Sequence, residues 1–356
     1  MEIVMNVMKI THRRVHCLSA KERKVKKIKV LVVRSSLAEW LEKQKDLLPK
    51  NIELIVPKEG TDEEIEELIQ DAEIVVCTRL SAEAAKKGKK LKLIQKTGAG
   101  VDAIPFDAIR EDIIVANTSG ANPVPLAEGT IALMISLAKK ITEKNSSFPD
   151  RTVLRGIELR GKKVGIIGLG SIGIEVAKRL QAFEMKILGI KRRPEEKVKK
   201  ELDLEFLGGP DDLDYVLKES DFVIVIVPLT PATRGMIGER ELKLMKPTAY
   251  LVNVARAAII QEEPLYRAVK EEWIAGAALD VWWIPHWWDP KWGPELDKPS
   301  RYPIWELPNV ITTPHNVGFV ERSAHSERAI QIIAENIQRI AHGKTPINLV
   351  DKEHQY

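Results

Sequence analysis

"KVGIIGLGSIGIEVAKRL", residues 163–180, decides how the chain is read. An apolar, β-branched run ends at Gly168, and Gly170 and Gly173 follow within five residues. An amphipathic helical pattern opens directly behind them. A G-x-G-x-x-G series alone is weak evidence, but between a strand and a helix it reads as the phosphate-binding turn of a dinucleotide site. Gly168 permits the tight turn. Gly170 lets the backbone approach a pyrophosphate at the helix N-terminus, and Gly173 lets helix and strand pack closely.

The next strand, "MKILGI", ends at Ile190. A site for NAD(H) commonly has Asp or Glu here to hold the ribose 2′-hydroxyl. This chain has Lys191, Arg192 and Arg193 instead, with no carboxylate among them. Three cations would attract a 2′-phosphate, so the charge pattern favours NADP(H). A solvated basic turn with NAD(H) bound is the alternative.

Further out, strands are expected at 222–227, 249–253, 275–280 and 309–312. Toward the N-terminus, "KIKVLVV" (27–33), "EIVVCT" (73–78), "LKLIQKTGAGVD" (91–102) and "IIVAN" (113–117) form an earlier strand series. "TDEEIEELIQDA" (61–72) is a helix with Thr61 as its cap and acids in its first turn. "PLAEGTIALMISLAKKITEK" (125–144) is a long apolar helix opened by Pro125. "ERAIQIIAENIQRIAHG" (327–343) is a helix stopped by Gly343. Strand–helix alternation of this kind implies α/β architecture with parallel sheets.

Composition bounds the class. The 356 residues suffice for two domains, each burying its own core. The net charge is only +4. The basic run 21–29, "KERKVKKIK", can bind nucleic acid, but near-balanced charge elsewhere favours a solvated arm. Cys17 and Cys77 have no metal-type spacing and fit a reducing compartment. No secretory pattern opens the chain and no apolar run is long enough for a membrane span, so a cytoplasmic location is expected.

Several stretches together resemble the D-isomer-specific 2-hydroxyacid dehydrogenases, which include phosphoglycerate dehydrogenase and glyoxylate/hydroxypyruvate reductase. They are "TGAGVDAI" (97–104), "NPVPLAEGTIALMISLAK" (122–139), the glycine-loop stretch, "VPLTPATRGMIG" (227–238), "LVNVARAAII" (251–260), "GAALDV" (276–281) and "LPNVITTPHNVG" (307–318). The resemblance implies two Rossmann-like, doubly wound domains with a cleft between them. The dinucleotide-binding domain would be 126–319. The substrate-binding domain would be 27–125 plus 320–356, with 1–26 a basic extension. A homodimer is implied as well.

The resemblance also assigns roles. Arg256, in "VNVAR", would hold the substrate carboxylate, for which a charged bidentate fork is suited. His315, in "TPHN", would exchange the proton near neutral pH. Backbone N–H groups around Ala99 and Gly100 would meet the substrate from the other domain. Ser171 and Ile172 would join Gly168, Gly170 and Gly173 at the pyrophosphate. Val227, Pro228, Val254 and Ala255 would line the cofactor cleft. Asp280 and Gly318 would lie at the nicotinamide carboxamide. Arg79 is either a contact to the substrate tail or a surface residue. No metal is expected.

One position departs from the family. A glutamate that orients the histidine is expected after the Asp280 strand, and Pro285 stands there. Asp289, Glu295 or Asp297 could replace it from the longer loop. Shifted by one residue, His286 takes the place, in a "DVWWIPH" stretch that resembles formate dehydrogenases. The third possibility is a protein that binds cofactor but scarcely turns over, as in regulators sharing this fold. A phosphite-type activity is disfavoured by Ala99, where a lysine would be expected. The residues 280–305 carry six of the chain's eight tryptophans. They are either the core of a long loop or an aromatic wall at the active-site mouth. The leading expectation is an NADPH-favouring reductase of small 2-oxo acids such as glyoxylate or hydroxypyruvate.

Overall fold

A computed structural model describes residues 27–33, 35–43, 45–284, 298–319 and 324–356. The residues 1–26, with Cys17 and most of the basic run, lie outside it. So do Pro285, His286, Asp289, Glu295 and Asp297, together with Trp287, Trp288 and Trp292.

Two all-parallel sheets form the frame. The first contains β1 (Ile28–Val32), β2 (Ile52–Ile55), β3 (Ile74–Cys77), β4 (Leu93–Lys96) and β5 (Ile114–Ala116), in the order β2-β1-β3-β4-β5. The second contains β6 (Lys163–Ile167), β7 (Lys186–Ile190), β8 (Phe206–Gly208), β9 (Phe222–Val225), β10 (Tyr250–Asn253), β11 (Gly276–Leu279) and β12 (Val310–Thr312). Its order is β12-β11-β10-β9-β6-β7-β8. Both orders reverse once, between β1 and β3 and between β6 and β9. In open sheets of this kind ligands bind at the carboxyl ends of the strands, where the order reverses.

The apolar runs follow from burial on both faces. Val30 and Val32 pack with the terminal helix Ala324–Ala341 through Ile330, Ile333 and Ile337, while Leu31 faces Ile65, Ile69 and Val75. On β9, Phe222 and Ile224 face one layer of helices and Val223 and Val225 the other. The strands β2 and β8 were not expected from the sequence. Both lie at sheet edges and are short and only partly buried, so they lack the strong apolar signature.

Thr61 caps the helix Asp62–Leu68, its hydroxyl accepting from Glu64 N. The expected single helix over 125–144 is two. Pro123–Lys139 opens two residues early, and Lys140 adopts φ 53° before a short helix, Ile141–Ser146. The left-handed residue caps the first helix and turns the chain.

The helix Pro123–Lys139 packs into the core of the second sheet through Ile131, Met134 and Leu137. Gly129 is its point of closest approach. A Cβ there would lie 2.2 Å from the Val317 carbonyl oxygen and 2.9 Å from its carbon. Backbone cannot give way as a flexible side-chain tip can. Gly129→Ala is therefore expected to cost about 2 kcal/mol of stability through overpacking. A denaturant titration showing an unchanged midpoint would refute that close packing.

Candidate active site

In the second sheet all strands run the same way, so the loops after them line one edge. Gly168 closes β6, Lys191 follows β7, Val227 follows β9, Val254 and Ala255 follow β10, Asp280 follows β11 and His315 follows β12. The structure thus gathers most of the expected positions on one rim.

The glycine turn has the conformation its sequence implies. Gly168 sits at φ 109°, and its Cβ would fall 2.7 Å from the Ile226 carbonyl. Gly168 N and Leu169 N both donate to Ile190 O, at 3.0 and 2.9 Å, tying the turn to β7. A Cβ on Gly173 would lie 2.4 Å from Gly168 O. Gly170 is different, since a Cβ there would meet nothing within 4 Å. It caps the helix Ser171–Gln181, and among the described residues no side chain accepts from the first helical N–H groups. Exposed Ser171, half-buried Ile172 and these amides leave an open, positively polarised cradle that fits a pyrophosphate.

The basic turn corrects part of the charge reading. Lys191 Nζ lies 2.7 Å from Glu195 Oε1, four residues on, so one of the three cations is paired. Arg192 and Arg193 are exposed, and among the described residues neither is paired with a carboxylate.

Arg256 lies at the contact between the two sheets' loops. Asn253, at the end of β10, shapes its turn: its amide donates to Arg256 O at 3.0 Å and its oxygen accepts from Ala255 N at 3.1 Å. Arg256 Nε donates to both Asp102 oxygens at 3.2 Å, and Nη1 donates to Ala255 O at 2.7 Å. Nη2 faces Gly100, where a Cβ would lie only 2.2 Å from it. Asp102 and Gly100 belong to the loop after β4. The Asp102 contact with Arg256 joins positions 154 residues apart.

That loop is held by its carbonyls. Asn117 Nδ2 donates to Ala99 O at 2.9 Å, and Thr118 donates to Thr97 O at 2.9 Å and Gly98 O at 3.3 Å. Among the described residues, no acceptor pairs with the N–H groups of Gly98, Ala99 or Gly100. Buried Lys96 ends the strand beneath, donating to Thr78 O. Burial lowers its ammonium pKa, against the opposing pull of Cys77 and Asp102. Burial also pushes the Cys77 thiol up to about 12, too high for a nucleophile.

His315 is exposed and stands at φ 56°, a conformation L-residues seldom adopt. Buried Asp280 organises the loop around it. Its Oδ1 accepts from Thr313 Oγ1 at 2.7 Å, Asn316 N at 2.9 Å and Val317 N at 3.1 Å. Burial raises its carboxyl pKa, and these three bonds oppose the rise. Trp282 adds a fourth tie, its indole donating to Thr313 O at 2.9 Å. Trp283 donates to Ile260 O at 2.9 Å, and both indoles pack on the core of the second sheet with Trp305. For these three tryptophans the packing role holds. Gly318 is buried, and its carbonyl accepts from Asn122 Nδ2 at 3.3 Å. Asn122 Oδ1 is buried without a partner among the described residues. Arg79 pairs with Asp62 at 2.9 Å on the surface of the first lobe.

Sequence reasoning missed Asp102, Asn122 and Lys96. Each lies inside or beside a stretch singled out above, and the partners of Asp102 and Asn122 are 154 and 196 residues away in sequence. Among the described residues, no group of three His, Cys, Asp or Glu could hold a metal ion.

Residues 131–317 match the model of the D-isomer specific 2-hydroxyacid dehydrogenase NAD binding domain. The chain belongs to the D-isomer specific 2-hydroxyacid dehydrogenase family. It is 38% identical to a D-3-phosphoglycerate dehydrogenase of Methanocaldococcus jannaschii over 82% of its length, but spans only 54% of that protein. It is 35% identical to a glyoxylate reductase of Thermococcus litoralis, covering 78% of this chain and 82% of the relative. Among solved structures, an NAD-complexed family member from Lactobacillus delbrueckii ssp. bulgaricus superposes with a TM-score of 0.67 at 26% identity, covering 91% of this chain and 99% of that one. The chain thus spans about half the length of the phosphoglycerate dehydrogenases it matches and most of the length of the glyoxylate reductases.

The Arg256–Asp102 pair carries a pH signature. Burial would raise the Asp102 carboxyl, but the charge and hydrogen bonds of Arg256 outweigh it and hold it below its ordinary 3.8. A depressed folded-state pKa adds stability above the unfolded value and loses it as pH falls through the folded one. The stability gap between wild type and Asp102→Asn is therefore expected to stay constant from about pH 8 to about pH 5. It should close only below pH 3.8. A gap that already shrinks near neutral pH would show that the clamp is not set by this carboxylate.

Proposed function

We propose that this chain is a nicotinamide-dependent reductase of small 2-oxo acids, glyoxylate or hydroxypyruvate among them, with NADPH favoured over NADH. The observation that carries this reading is the meeting of Arg256 with the Gly98–Gly100 loop, where a Cβ on Gly100 would lie 2.2 Å from Arg256 Nη2 and 2.9 Å from Asp102 Oδ1. A fixed cation and a run of unpaired amides, supplied from opposite sides, suit one small carboxylate.

The roles follow. Arg256 binds and orients the carboxylate and the adjacent carbonyl oxygen. Amides of Ala99 and Gly100 hold the carboxylate from the other lobe. His315 donates a proton to the carbonyl oxygen during reduction and takes it back in the reverse direction. Gly168, Gly170, Ser171, Ile172 and Gly173 hold the pyrophosphate of the cofactor. Val227, Pro228, Val254 and Ala255 line its cleft, and Asp280 and Gly318 stand at its nicotinamide end. The cofactor, when bound, supplies the hydride. With Lys191 paired to Glu195, the NADP(H) preference rests on Arg192 and Arg193. We assign 27–125 plus 320–356 to the substrate lobe and 126–319 to the cofactor lobe. Packing of the terminal helix on the first sheet and of Pro123–Lys139 on the second supports that division.

A homodimer is part of the proposal. Phe148 and Val153 are 80% and 88% exposed and line one surface hollow with Pro149 and Leu154. An apolar cluster of this kind marks a surface that a partner covers. Phe148→Asp with Val153→Asp is expected to shift the sedimentation coefficient to that of a monomer. A monomeric wild type would overturn this part.

The main test follows cofactor oxidation at the nicotinamide absorbance, with NADPH and NADH against glyoxylate, hydroxypyruvate, pyruvate and phenylpyruvate. Arg256→Ala and His315→Ala are each expected to lower kcat/KM by about 10²–10⁴. Tight cofactor binding without turnover on any of these acids would replace the reductase reading with a regulatory one.

A further inference from the structure

Tyr356 belongs to the first lobe, yet its ring touches the turn that follows β7 in the second. The segment that carries it is firmly placed. Ala116 bridges to Leu349, and Val350 N donates to Val115 O at 2.9 Å, which fixes the segment to β5. Lys352 Nζ donates to Glu111 O at 2.7 Å. Asp351 then closes a tight turn. Its Oδ1 accepts from Glu353 N and His354 N at 3.0 and 3.1 Å, its Oδ2 lies 2.8 Å from His354 Nδ1, and its N–H donates to Tyr356 O at 3.1 Å. The His354 ring meets Tyr356 edge-on at 6.3 Å between centroids.

This turn presents the Tyr356 ring to Arg192, whose guanidinium carbon stands 4.1 Å from the ring centroid. That is stacking distance for a cation on an aromatic face. A guanidinium held over a ring keeps N–H groups directed away from that ring, and these can fork a phosphate. An exposed arginine otherwise explores many rotamers, and fixing it before the ligand arrives lowers the entropy lost on binding. Tyr356 Oη is buried and has no hydrogen-bond partner among the described residues, so the ring is placed by the turn and by Arg192 rather than by its hydroxyl.

We propose that Tyr356 is a specificity-determining positioning residue. By stacking on Arg192 it aims the guanidinium edge at the 2′-phosphate of NADP(H), so that one lobe prepares the cofactor contact of the other. The proposal rests on the NADP(H) reading above.

The experiment measures dissociation constants by titration calorimetry for adenosine 2′,5′-bisphosphate and adenosine 5′-phosphate, which need no catalysis. Wild type is expected to prefer the bisphosphate, and Arg192→Ala to abolish most of the preference. Tyr356→Leu should weaken the bisphosphate about fivefold and leave the monophosphate unchanged, the size of an exposed cation–π contact. Tyr356→Phe keeps the ring face and should stay within about twofold of wild type. Arg192→Lys keeps the charge, loses the planar fork, and should resemble Tyr356→Leu. It carries the test should Tyr356→Leu fail to fold. An unchanged ratio in Tyr356→Leu, or in Arg192→Lys where that variant stands in, overturns the proposal while the NADP(H) reading stands. Equal weakening of both ligands, or a loss in Tyr356→Phe as large as in Tyr356→Leu, also overturns it. A wild type without preference for the bisphosphate overturns both readings.

Discussion

The fork between Arg256 and Asp102 is the constraint on which the proposed site depends. A guanidinium in a cleft between lobes needs an acceptor, because an unpaired, partly buried charge is costly. Asp102 supplies it from the opposite lobe at 3.2 Å on Nε, and Ala255 O takes Nη1 at 2.7 Å. The two side chains are 33% and 27% exposed, so solvent screens the pair and its contribution to stability is modest. Its larger effect is geometric. With Nε and Nη1 committed, Nη2 is the part of the fork turned toward Gly100. The loop glycine and the arginine edge thus come together before any substrate does.

A second constraint acts on the rim at His315. A histidine at φ 56° does not hold that conformation unaided, and the surrounding contacts must impose it. Asp280 binds the residue two before it and the two residues after it through one oxygen. Trp282 holds the Thr313 carbonyl, and Gly129 lets the helix Pro123–Lys139 close on Val317. Strain at one residue is thereby spread over a strand end, an indole and a helix. Part of the aromatic density at 282–305 has this explanation: Trp282 and Trp283 use their N–H groups to tie a loop to the second sheet.

Much of the fold was legible because parallel strands buried on both faces leave apolar runs, as in β1, β3, β6 and β9. The edge strands β2 and β8 escaped because half-buried edges need no such run. The break at Lys140 escaped because a left-handed lysine leaves no compositional trace. At the site, Gly168, Gly170 and Gly173 were readable from their spacing between a strand and a helix, and Gly168 and Gly173 answer a local backbone demand. Asp102 was not readable in that way. Its significance comes from a partner 154 residues distant, and no local pattern encodes it.

The basic turn shows the same limit for charge. Counting Lys191, Arg192 and Arg193 gives three cations facing a cofactor ribose. The turn between β7 and the next helix, however, brings Glu195 within 2.7 Å of Lys191, and a paired ammonium attracts a phosphate much less than an open one. The field at the turn is then set by the two arginines, and of these Arg192 is stacked on a ring carried by the other lobe. A sum of charges is blind to both facts. What distinguishes the arginines from the lysine is which atoms remain unoccupied once neighbouring side chains are satisfied. In Arg192 the N–H groups directed away from the ring are left, and in Lys191 the ammonium is already paired. Recognition of an added phosphate, on this argument, depends on the arrangement of the two lobes as well as on the residues of the turn.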